Sequence, residues 1–138
     1  MTSHILYTTE LRTEATHLQS GAVIGTDAPK DNQGKGEMFS PTDLVATALG
    51  SCMLTIMGMA GRTHTIDIDG TEVDIEKIMI ADPQRRIFEI KVTFNFPTDK
   101  KYTDKERKIL EHAAMTCPVF LSLHPDTKKT VDFNWGGY

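Results

Sequence analysis

The sequence predicts one domain of mixed helices and strands, built around a buried central helix. Three observations carry that prediction. The stretch 40–61, SPTDLVATALGSCMLTIMGMAG, has no charged residue from Leu44 to Ala60 and is apolar around most of its helical circumference. That is the pattern of a helix covered on all sides. Residues 86–96 alternate Phe88, Ile90, Val92, Phe94 and Phe96 with Glu89, Lys91, Thr93 and Asn95, the period of a sheet with one buried face. Later, Ile109, Leu110, Ala113, Ala114 and Cys117 recur on one face of a helix whose other side carries Lys105, Arg107, Lys108 and Glu111. A chain of 138 residues can bury a core of its own and fits one domain, taken as 1–138.

The elements follow in order. Residues 4–13 and 16–26 read as two strands rich in β-formers (Ile5, Leu6, Tyr7, Val23, Ile24), with the turn near Thr13–Glu14. Gly21 and Gly25 point to tight turns or close backbone approach. Residues 27–39, DAPKDNQGKGEMF, form the longest loop, a lid or a plain connection. Its Gly34–Lys35 pair lacks the spacing of a phosphate loop. In the central helix Ser40 is the N-cap, Pro41 takes the first position and Asp43 closes a capping box. At ~1.5 Å per residue this helix runs roughly 30 Å, ending at Gly61 and the polar run 62–65.

A turn at Asp69–Gly70 leads into strands 71–81 and 86–96. In the first of these, Val73 and Ile75 fall on one parity and Ile78 and Ile80 on the other, so a β-bulge is expected near Glu76–Lys77. The connection ADPQRR reads as a solvated turn. Thr103 and Glu106 form a second capping box. Pro118 interrupts the amphipathic helix, which restarts as PVFLSLH. Val131, Phe133 and Trp135 alternate in a last strand, 128–135.

Composition bounds the partners. The chain is 39% hydrophobic and 25% charged, with a net charge of −4 and no basic stripe, which argues against nucleic acid or an anionic membrane. A membrane span needs about 20 apolar residues, and the run 44–60 is shorter and diluted by Thr47, Gly50, Ser51, Thr55 and Gly58. The opening MTSHILYTTELR lacks the basic flank and apolar run of a signal peptide. The expected location is the cytoplasm, where thiols stay reduced.

Two cysteines carry the chemistry. There is no C-x-x-C and no zinc-module spacing, so no metal is expected, His64 notwithstanding. Cys52 and Cys117 both sit on helix faces that point into a core. Two readings stay open: inert buried hydrophobes, or a redox pair in which one thiolate attacks and the other resolves the product into a disulfide. Cys117, directly before Pro118, stands where a restarted helix favours a thiolate. Cys52 is mid-helix and needs a cation, for which Arg12, His17 or a group of a partner subunit are the candidates.

The combination of a strand pair, S-P-x-D-L opening an uncharged helix with A-L-G-S-C inside it, and a distant C-P-V on a second helix resembles the OsmC/Ohr family of osmotically inducible and organic hydroperoxide resistance proteins. That resemblance implies an α+β, OsmC-like fold in which antiparallel sheets wrap a long buried Cys-bearing helix, assembled as an intertwined homodimer. It also implies a thiol peroxidase without a cofactor, acting on organic hydroperoxides or hydrogen peroxide. Cys52 would be the peroxidatic thiolate and Cys117 the resolving thiol, with an external, lipoyl-type dithiol as reductant. The chain departs from the hydroperoxide-resistance branch in two places: Gln19 stands at its arginine and Thr42 at its glutamate. Asp43 follows Thr42, but nine helical steps put it nearly opposite Cys52, so it could serve the thiol only across a dimer. His17 is the substitute cation. The alternative function is a homodimeric binding or redox-sensing protein with a hydrophobic pocket.

Overall fold

Turn chemistry shapes the first part of the chain. In the computed structural model, which describes residues 1–137, Glu10 and Leu11 take positive φ values of 50° and 63°, and the Leu11 N–H donates to Tyr7 Oη at 3.3 Å. The chain therefore reverses at 8–11, not at Thr13–Glu14, and the two expected strands become three: β1 (Ser3–Tyr7), β2 (Arg12–His17) and β3 (Val23–Asp27). They form an antiparallel meander in the order β1-β2-β3. Gly21, at φ 76°, makes the second turn. At Gly25 a Cβ would meet Met38 Sδ at 2.7 Å, so this glycine serves close approach. These strands belong to the first of two compact units, residues 1–45; the second starts at Ala46.

Helix α1 spans Pro41–His64. Its capping box is present: Ser40 Oγ accepts from the Asp43 N–H at 3.1 Å, and Asp43 Oδ2 accepts from the Ser40 N–H at 2.9 Å. The helix runs past Gly61 to His64, and Thr65, at φ 56°, ends it. Within the single chain α1 is covered along one stripe, not on every side. Ala46, Leu49, Gly50, Met53, Met57 and Gly61 are buried, one stripe at helical spacing, whereas Val45 and Met59 are exposed. With 24 residues α1 also satisfies the length and composition of a membrane span, so the length argument against one fails. The buried stripe marks it instead as a core helix.

In the second unit, β4 (Glu72–Ile80) and β5 (Arg86–Asn95) pair antiparallel, and β6 (Lys128–Asn134) pairs with β5 in parallel. The expected antiparallel pairing holds in the first sheet and for β4 with β5 and is corrected at β6. A parallel partner needs a crossover, and helices α2 (Asp104–Met115) and α3 (Pro118–Ser122) supply it. The bulge lies at Ile78/Met79, two residues beyond its expected place, with Ile78 opposite Glu89 and Met79 opposite Ile87. Phe88 is the residue left over, which explains why it is exposed while Glu89 is buried and Ile90, Val92, Phe94 and Phe96 point inward. Leu49, Met53 and Met57 of α1, the inward residues of β5, and Leu110 and Ala114 of α2 make one core, each large side chain contributing about 1.5–3 kcal/mol by leaving water.

Candidate active site

The second unit brings the two cysteines together. Cys52 lies midway along α1 and is half-buried; Cys117 is fully buried, and both are free thiols. Two residues before Cys52, a Cβ on Gly50 would meet Ile75 Cδ1 at 2.6 Å, so the small residue lets α1 lie close on β4.

Cys117 owes its place to a break between helices. The Thr103 capping box starts α2, with the Thr103 N–H donating to Glu106 Oε2 at 2.8 Å and Thr103 Oγ1 accepting from the Glu106 N–H at 3.2 Å. Buried Leu110, Ala113 and Ala114 then fix its inner face. Thr116 ends it, Cys117 turns extended (φ −65°, ψ 141°), and Pro118 opens α3. Cys117 is thus the N-cap of α3, its Sγ accepting the Phe120 N–H at 3.2 Å. The Cys117 thiol lies near enough to that of Cys52 for the two to influence each other's ionisation.

The expectation that a helix start favours a Cys117 thiolate is corrected. Burial pushes the thiol above the usual cysteine range, because a desolvated anion is disfavoured. The Phe120 N–H pulls it down, but neighbouring Cys52 adds to the rise. At rest Cys117 is a neutral thiol. A sealed thiol near a partly open one suits a pair that oxidises at the open sulfur and closes at the sealed one.

The other sequence-predicted residues have partners of their own. Arg12 Nη2 donates to Asp27 Oδ2 at 3.2 Å and to the Glu37 carboxylate. Asp27 is fully buried and also accepts the Glu37 N–H at 3.0 Å. That N–H and then the guanidinium hold its carboxyl below the usual range against the opposing effect of burial. Asp27 and Glu37 escaped sequence reading. The usable signal was the pairing of β2 with β3, which sets Arg12 directly opposite Asp27. His17 is exposed, its Nδ1 at 2.6 Å from Ser20 Oγ in the turn that also holds Gln19. Asp43 closes the α1 cap, and the Thr42 hydroxyl lies 3.2 Å from Ser40 Oγ. Among the described residues, no three His, Cys, Asp or Glu side chains cluster as metal ligands.

Two grooves are lined by other residues. One of about 640 Å³ in the first unit is lined by Ile24, Glu37, Met38 and Phe39. Another of about 550 Å³ beside the end of α1 is lined by Thr55, Met59, Arg62 and Asp67.

Comparison with known proteins adds the lineage. A family model described as OsmC-like protein matches residues 34–132. A crystal structure of a candidate osmotic stress induced and detoxification response protein from Psychrobacter arcticus is 51% identical, with a TM-score of 0.91, covering 97% of this chain and 96% of that one. An organic hydroperoxide resistance protein OsmC from Legionella pneumophila shares the fold at 11% identity and TM-score 0.76, with 97% of each chain covered. So does an organic hydroperoxide resistance protein from Elizabethkingia anophelis, at 16% identity and TM-score 0.74, with 97% and 96% covered. A search among curated proteins finds no match.

Proposed function

The chain belongs to the OsmC-like family, and on that premise we propose that it is a cysteine-based peroxidase that reduces organic hydroperoxides, or hydrogen peroxide, in oxidative stress defence. The observation that carries the reading is that a half-buried Cys52 and a sealed Cys117 lie near each other in one core. The Cys52 thiolate attacks the distal peroxide oxygen, the O–O bond breaks, and the alkoxide leaves to take a proton as the alcohol. Cys52 is then a sulfenic acid. Cys117 Sγ attacks that sulfur, its proton leaves with the hydroxide as water, and a disulfide remains. An external dithiol, lipoyl-type in this reading, reduces the disulfide and becomes oxidised itself. The names of the Legionella and Elizabethkingia neighbours and the apolar setting of Cys52 beside Met53 and Met57 favour an organic peroxide.

The remaining parts of the proposal are supporting ones. A homodimer would cover Ile5, Tyr7, Val23 and Ile24, exposed on the first sheet, and Val45 and Met59 on α1. Reduced free thiols fit the cytoplasm. A second reading, a homodimeric binding or redox-sensing protein, draws support from the 640 Å³ groove with its apolar Ile24, Met38 and Phe39. Consumption of cumene hydroperoxide with dihydrolipoamide as reductant separates the two. The peroxidase reading expects turnover in the parent protein, none in Cys52→Ser, and a single stalled equivalent in Cys117→Ser. Turnover unaffected by Cys52→Ser, or absent from the parent, rejects it.

A further inference from the structure

The hydrogen bond from the Phe120 main-chain N–H to Cys117 Sγ plays no part in the oxidative steps above. Its use lies in the return step. In a Cys52–Cys117 disulfide the two sulfurs are not equally open to attack, since Cys117 is fully buried and Cys52 is not. Thiol–disulfide exchange follows access and the quality of the leaving thiol, so a reductant thiolate reaches Cys52 Sγ. The reductant sulfur bonds to Cys52, the Cys52–Cys117 bond breaks, and the electron pair stays on Cys117 Sγ. A thiolate thus appears at a sealed apolar position, where an anion is costly. One N–H already points at that atom.

Resting on the peroxidase reading, we propose that the Phe120 main-chain N–H is the leaving-group donor for disulfide reduction, taking up the charge that develops on Cys117 and so directing the reductant to Cys52. A divalent disulfide sulfur is a weak acceptor and a thiolate a strong one, and hydrogen bonds to ionised acceptors are about twice as strong as neutral ones. The bond therefore strengthens along the reaction, the condition for accelerating it. The second thiol of the dithiol then attacks its own sulfur on Cys52. Cys52 leaves as a thiolate, the reductant closes to a cyclic disulfide, and the reductant's proton ends on Cys117.

The test starts from disulfide made with diamide, so that failure of peroxide turnover and failure of this step are read separately. Phe120→Leu removes the ring and keeps the N–H; Phe120→Pro removes both. Reduction by dihydrolipoamide, followed by stopped flow, is expected to slow by about ten- to a hundredfold from the leucine to the proline variant, the usual worth of a hydrogen bond to a charged group. Consumption of the first peroxide equivalent should differ little between them. Equal reduction rates in the two variants would overturn the proposal. In the parent protein, glutathione as a monothiol probe should be trapped on the Cys52 peptide, and trapping on Cys117 would also overturn it. Should the proline variant not fold, the amide proton of Phe120 in Cys52→Ser answers the same question. It is expected to move downfield as Cys117 ionises; an unmoved resonance counts against the donor.

Discussion

Set side by side, the surroundings of Cys52 and Cys117 differ in cover, backbone and hydrogen bonding. Cys52 is an interior residue of a 24-residue helix, so its backbone is committed to the helical ladder and its half-open thiol depends on what other side chains bring. Cys117 sits in a break between two helices, is fully buried, and has a main-chain N–H directed at its sulfur. The difference teaches a division of labour. The accessible sulfur suits attack on an oxidant, and the sealed sulfur suits closing the disulfide and, held by its donor, later leaving it. Burial raises the Cys117 thiol above its ordinary range, and an interior helical position gives Cys52 no such N–H.

Substitutions break or sharpen that contrast in descending order of effect. Cys52→Ser is expected to abolish peroxide consumption altogether, measured as loss of cumene hydroperoxide, while Cys117→Ser keeps the first equivalent and loses the disulfide. Next come changes to the stripe that seats the site. Met53 is fully buried beside Cys52, and Met53→Ala should cost about 2–5 kcal/mol of unfolding free energy by denaturant titration.

Asp27→Asn leaves Arg12 with a neutral partner at a fully buried position and should cost about 1–3 kcal/mol. The pH dependence has a definite sign. The Asp27 carboxyl is held below its ordinary value, so its contribution is complete above the unfolded-state pKa of about 3.9 and is lost as pH falls through the lower folded value. Acid unfolding of Asp27→Asn should lack that part of the parent's pH dependence. Smallest is Ser40→Ala, which removes the hydroxyl that accepts the Asp43 N–H, at about 1 kcal/mol.

What could be read from the sequence was what local chemistry decides. Both capping boxes, the stripe 109–117, the hairpin of β4 and β5 and the restart at Pro118 all depend on residues within a few positions of one another, and each is in place. The first turn was misplaced because Glu10 and Leu11 adopt a left-handed backbone that their residue types do not announce. The bulge moved because Phe88, apolar and in phase with the alternation, is the residue that drops out of register. The parallel pairing of β6 follows from the crossover through α2 and α3, a long-range property. For the candidate site, the placing of Cys52 and Cys117 toward one core was legible from their helix faces, but the direction of the Cys117 shift was not, because it depends on how completely the surrounding core closes over it. The Asp27 and Glu37 partners of Arg12 stayed hidden for the same reason: only strand pairing and the loop 28–37 bring them to it.

The most direct test of the central claim treats the reduced protein with one equivalent of cumene hydroperoxide, quenches by alkylation and maps the cysteine peptides by mass spectrometry. The account predicts a single disulfide joining the Cys52 and Cys117 peptides, with a Cys52 sulfenic acid accumulating in Cys117→Ser. Recovery of both cysteines as unmodified, fully alkylatable thiols would contradict it.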